Sequence, residues 1–105
     1  MPRQKLDSTA ISEKLAAVAS WDIDAGETAL SRTFKFANFS EAFGFMARAA
    51  LVAEKLDHHP EWKNVYRTVE VRLTTHDAGG LTPLDFDLAT AMDRIASSTG
   101  SKASG

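Results

Sequence analysis

The chain has 105 residues, 44% of them hydrophobic and 25% charged, which fits one globular domain and leaves little room for a second. A net charge of −2 gives no basic footprint for nucleic acid, and the absence of cysteine excludes disulfides, thiolate nucleophiles and cysteine-ligated zinc. No apolar run is long enough to cross a bilayer, and the polar start Met1-Pro2-Arg3-Gln4-Lys5 has no signal-peptide pattern, so no membrane partner and a cytoplasmic location are expected.

In chain order, residues 1–5 read as a tail. Asp7 is placed to cap a first helix, with Leu6 and Ile11 spaced as a hydrophobic staple and Ile11, Leu15 and Val18 forming one apolar stripe that ends near Ser20. Trp21 to Ile23 reads as a short strand, Asp24-Ala25-Gly26-Glu27 as a turn, and Leu30 to Phe36 as a second strand. On that strand Leu30, Phe34 and Phe36 share a face that Arg32 interrupts. Asn38 and Glu41 have capping-box spacing at the start of a second helix. It carries two apolar stripes, Ala42-Met46-Ala49-Ala53-Leu56 and Phe39-Phe43-Ala47-Leu51. The sheet can cover one of them, and the other calls for a second helix or a second subunit. His58-His59-Pro60 ends this helix, because proline pushes the residue before it into extended backbone.

Trp62 to Tyr66 and Thr68 to Thr75 read as a third and a fourth strand, the latter with Val69, Val71 and Leu73 alternating with polar residues. His76-Asp77-Ala78-Gly79-Gly80 is a loop. A third helix follows with Thr82 as cap, Pro83 at the first position, Asp85 completing the box and Leu84, Leu88, Ala91 and Ile95 inward. Residues 97–105 are small and polar and read as a second tail, which leaves a single domain over 6–96. The order α-β-β-α-β-β-α, with strands in adjacent pairs, predicts an α+β fold: a four-stranded antiparallel sheet with three helices on one face.

The chain has three histidines, and all of them fall at element ends: His58 and His59 where a helix breaks, His76 where a strand stops. Histidine suits proton transfer near neutral pH. A hairpin turning near Tyr66-Arg67 would return His76 to the neighbourhood of His58 and His59. Two blander roles stand beside this one. A loop histidine is commonly just solvated, and a His-His pair at a helix C-terminus can simply stabilise the dipole. Shared zinc ligation by His58 and His59 would need distorted backbone, since neighbouring helical residues point about 100° apart. Glu54, Asp57 and Asp77 flank the histidines and could orient an imidazole or could be ordinary surface charge, the second being favoured for Glu54. Asp85 reads as the capping partner of Thr82 rather than a catalyst. Trp21 and Trp62 could stack on a planar ligand, although burial is the commoner fate of tryptophan.

The stretch Glu54-Lys55-Leu56-Asp57-His58-His59-Pro60-Glu61-Trp62, then Asn64-Val65-Tyr66, Thr75-His76-Asp77 and Gly80-Leu81-Thr82, strongly resembles the pterin-4a-carbinolamine dehydratase family. Trp21 and the segments Phe34-Lys35-Phe36 and Phe43-Gly44-Phe45-Met46 resemble it too, and the likeness runs from about Asp7 to Ile95. It implies a four-stranded antiparallel sheet with three helices on one face, commonly assembled as a homotetramer. It implies dehydration of a 4a-hydroxytetrahydropterin, the product of an aromatic amino-acid hydroxylase, to the quinonoid dihydropterin. The pterin is then the substrate, and no cofactor or metal is implied. By the same resemblance His58 and His76 are the acid/base pair and His59 binds and orients the pterin. Asp57, Pro60, Thr75 and Asp77 line the pocket, and Glu54 and Trp21 are weaker carry-overs. Some family members also bind a homeodomain transcription factor and stabilise its dimer, which is the alternative function the resemblance carries. Leu84 stands where the family often has a basic or polar residue, and Asp77 where glutamate is frequent; both bear on the pocket rim rather than the histidines.

Overall fold

Asp7 opens the first helix as its spacing predicts: extended at φ −84°, its side chain accepts from the Ala10 N–H at 2.9 Å. The computed structural model describes residues 4–99. Within them α1 spans Ser8–Leu15 and runs into a 3-10 turn, Ala16–Val18. β1 is Asp22–Ile23, β2 Leu30–Lys35, α2 Phe39–Leu56, β3 Glu61–Val65, β4 Thr68–Leu73 and α3 Pro83–Ser97. A second 3-10 turn, His76–Ala78, separates β4 from α3. The order is the one read from the sequence. β1, β2 and β4 come out shorter, because Trp21, Phe36, Thr74 and Thr75 lie outside the ladders, and β3 keeps its length but begins one residue earlier, at Glu61, and ends at Val65 rather than Tyr66. The third helix reaches Ser97, one residue into the segment read as a tail; the outermost tail residues, 1–3 and 100–105, lie outside those described.

The sheet is antiparallel throughout, in the order β1-β2-β4-β3. The two halves of the chain therefore meet through β2 and β4, with Leu30 opposite Leu73 and Phe34 opposite Val69. The inner face is apolar: Leu30, Phe34, Val69 and Leu73 are fully buried. Ser31, Thr33 and Lys35 on β2 and Glu70 and Arg72 on β4 are exposed on the other face, so the helices cover one side of the sheet. Asn38 caps α2 by accepting from the Glu41 N–H at 2.9 Å. α2 buries Ala42, Phe45, Ala49 and Ala53. Phe45 was not in the stripe read from the sequence, yet it anchors the core, with its ring centroid 4.7 Å from Phe34 and 5.1 Å from Phe36. The second stripe is open: Phe39, Phe43 and Leu51 are 49%, 55% and 74% exposed.

α3 sits rotated from the expected position. Its buried residues are Asp85, Phe86, Leu88, Ala89, Met92 and Ala96, while Leu84, Ala91 and Ile95 are only half-buried. The expected stripe left out Asp85 because an acid reads as surface. Once its hydrogen bonds are met, Asp85 belongs inside, and positions 85, 88, 89, 92 and 96 make a regular helical face.

Candidate active site

The end of α2 is set by Asp57, two residues before the position that Pro60 suggests. Asp57 takes the left-handed conformation (φ 52°, ψ 45°), its N–H bonds back to Glu54 O, and the His58 N–H reaches Ala53 O at 3.0 Å. This pair of bonds is a Schellman closure, here with aspartate where glycine is usual. It reverses the chain and delivers His58 to the inside (4% exposed) and His59 to the outside (59%).

The other side of the site comes from the hairpin. Val65 pairs with Thr68 across the two-residue turn Tyr66-Arg67, where Tyr66 has φ 52°, and the Asn64 amide donates to Tyr66 O and Thr68 O. That turn fixes the register, which places Glu61 opposite Arg72. Residues just before β3 and just after β4 therefore share one end of the sheet. There the 75–80 loop closes through a Thr75–Gly80 bridge, with Gly79 at φ 77°, a left-handed conformation that glycine adopts without strain.

Asp57, His58, His59, Thr74, Thr75, His76 and Asp77 line one cavity of about 170 Å³ at this end. Six of the nine residues singled out from the sequence thus meet. Pro60, Glu54 and Trp21 do not line it. Glu54 stands behind His59, with its Oε1 2.9 Å from Nε2. Trp21 is buried against Phe34 and donates its indole N–H to Asp93 at 2.7 Å, where Arg32 also binds at 2.6 Å. A larger cavity of about 700 Å³ opens near the N-terminal segment; its lining includes Asp57 but no histidine. Among the described residues no group of three or more His, Asp or Glu side chains is placed to hold a metal ion.

All three imidazoles meet a carboxylate through Nε2. His58 meets Asp85 Oδ1 at 2.5 Å, His59 meets Glu54, and His76 meets Glu61 Oε2 at 2.7 Å. An ionised carboxylate only accepts, so each Nε2 donates and a neutral ring keeps its lone pair on Nδ1. The surroundings of the three differ sharply. Asp85 is fully buried and its Oδ2 also takes the Thr75 hydroxyl at 2.8 Å and the Thr82 N–H at 3.0 Å. Thr75, expected to line the pocket, thus spends its hydroxyl on this buried network. Glu61 lies at the surface, shared between His76 and Arg72, and these two hydrogen bonds, His76 first, hold its carboxyl below the usual range.

Two acids escaped the sequence reading. Asp85 is both the capping-box acid of α3 and the partner of His58; the signal for the second role was its place on the inward face of α3. Glu61 follows Pro60, and only the hairpin register, with Arg72 across from it, marks it out.

The antiparallel α+β domain thus gathers three carboxylate-backed histidines at one end of its sheet. A family model described as pterin 4 alpha carbinolamine dehydratase matches residues 4–95. A protein of Rhizobium etli named as a candidate pterin-4-alpha-carbinolamine dehydratase is 56% identical, covering 91% of this chain and 95% of its own. One from a Chelativorans species, named likewise, is 59% identical, covering 91% and 98%. A crystal structure from Brucella melitensis, described as a transcriptional coactivator/pterin dehydratase, superposes with a TM-score of 0.84 at 50% identity, covering 89% of this chain and 99% of that one. The chain belongs to the pterin-4a-carbinolamine dehydratase family.

Proposed function

We propose that this dehydratase, a hydro-lyase, removes water from a 4a-hydroxytetrahydropterin by histidine acid/base catalysis, within a single catalytic domain over residues 6–96. The convergence of His58, His59 and His76 on one cavity, each backed by a carboxylate, carries this reading. Hydroxide is a poor leaving group, so an imidazolium donates a proton to the oxygen on C4a as the C–O bond breaks and water departs. A neutral imidazole takes the N5 proton, and the electron pair it releases forms the N5–C4a double bond of the quinonoid dihydropterin. Atoms and charge balance with no further reactant. His58 and His76 form this acid/base pair. Nδ1 is the atom of each that exchanges the proton, because Nε2 is committed to Asp85 or Glu61. His59, with Asp57 and Asp77 on the rim, orients the pterin, and positioned proton transfer of this kind is worth about 10²–10⁴-fold in rate. Pro60 supports the pocket from outside its lining. The product returns to the pool that serves aromatic amino-acid hydroxylases, in the cytoplasm. Stopped-flow measurement of 4a-carbinolamine dehydration, with each histidine replaced in turn, tests the assignment. His76→Ala is expected to lower enzymatic dehydration by about 10²–10⁴-fold with the fold intact; unchanged turnover would overturn it.

A second reading rests on the open stripe of α2. Phe39, Phe43 and Leu51 form an apolar face that a second copy of this chain would cover, as dimer or tetramer, and that a regulatory protein could also use. The Brucella melitensis protein is described as a coactivator as well as a dehydratase, which supports keeping this role beside catalysis.

A further inference from the structure

Glu61 begins β3 directly opposite Arg72 of β4, and its carboxylate is held at both oxygens: Oε1 by the Arg72 guanidinium at 3.0 Å and Oε2 by His76 Nε2 at 2.7 Å. We infer that Glu61, anchored by Arg72, is the positioning residue of His76, fixing the ring and keeping its exchangeable lone pair on Nδ1. The inference rests on the reading of His76 as an acid/base group.

His76 needs such a support. It is 77% exposed and sits on a three-residue 3-10 turn with no buried residue. His58, by contrast, is locked by a buried acid. A lone surface carboxylate would be a weak guide, since it can rotate and an exposed ion pair contributes little stability. Two-point tethering changes that, because a carboxylate held at both oxygens cannot swing away from the imidazole. The register that aligns Glu61 with Arg72 is set by the Tyr66-Arg67 turn at the opposite end of the hairpin. The sheet thus transmits the placement of the turn to the orientation of His76.

The test compares Glu61→Gln, Arg72→Met and His76→Ala with the unaltered chain. The readouts are kcat and KM for 4a-carbinolamine dehydration and the ¹⁵N signature of the His76 ring, which reports which nitrogen carries the proton. Glutamine keeps the size but loses the charge and one acceptor. E61Q is expected to lower kcat roughly tenfold, with KM nearly unchanged and a mixture of tautomers at His76. R72M, which removes only the anchor, should shift both in the same direction by less. Glu61 and Arg72 are both exposed, so both variants should fold, with at most a small loss of thermal stability. Wild-type kcat in E61Q, or an unchanged tautomer, overturns the positioning role. Full turnover in H76A would instead overturn the reading of His76 itself, so the two failures are distinguishable.

Discussion

At the scale of single residues, acids decide the behaviour of the site. Asp85 is fully buried and meets His58, Thr75 and Thr82 at once. Asp85→Asn would set an amide N–H₂ against groups that are themselves donors, and leaving a buried donor unmet costs about 1–3 kcal/mol. Urea unfolding should show that loss, and the His58 ring should no longer be restricted to one tautomer. Asp24 makes a local case. It receives the Thr28 hydroxyl, the Thr28 N–H and the Ala29 N–H, and these bonds, the Thr28 hydroxyl first, hold its carboxyl below the usual range. A depressed folded pKa means stability that is present at neutral pH and lost as pH falls below about 4. Asp24→Ala should therefore destabilise the fold at pH 7 by an amount that shrinks as the pH is lowered through the carboxylate range, measured by urea melts across that range.

At the scale of elements, much was legible because the signals are local. The caps at Asp7 and Asn38, the alternation of β4, and Pro83 at the start of α3 each act within one turn or one strand, and each element appears where its signal lies. What escaped depended on the partner across the core. Phe45 lies outside both stripes read for α2, yet its ring packs on both Phe34 and Phe36 of the sheet side. Phe45→Ala should cost about 3–5 kcal/mol, read from thermal or urea unfolding, since the sheet cannot collapse into the space. α3 was turned by a fraction of a turn because a buried aspartate cannot be told from a surface one until its three partners are known. The break of α2 was read from Pro60, whereas the left-handed Asp57 makes it. The open stripe of α2 gives the prediction proper to this scale. If this face joins two copies of the chain, Leu51→Glu should leave each chain folded and reduce the mass seen by light scattering, and an unchanged mass would argue against a subunit contact at this face.

For the molecule as a whole, the site exists because distant segments are brought to one sheet end. His58 follows α2, His76 follows β4, and Asp85 belongs to α3. The meeting of the histidines was legible, since any β3–β4 hairpin returns the chain to its starting end. The acids behind them were not, because Asp85 arrives from a separate helix and Glu61 matters only in a particular register. Trp21 went to the core for a related reason: Asp93, far along the chain, supplies the acceptor its indole needs. If His58 and His76 work on one bound pterin, their losses cannot simply multiply, because groups that act as a unit are non-additive. The decisive measurement is the stopped-flow rate of 4a-carbinolamine dehydration by His58→Ala, His76→Ala and the double variant. Each single change should lower the enzymatic rate by about 10²–10⁴-fold, and the double variant should fall little further than the slower single. A single variant that turns over at the unaltered rate, or a double whose loss is the full product of the two, would contradict one shared reaction centre.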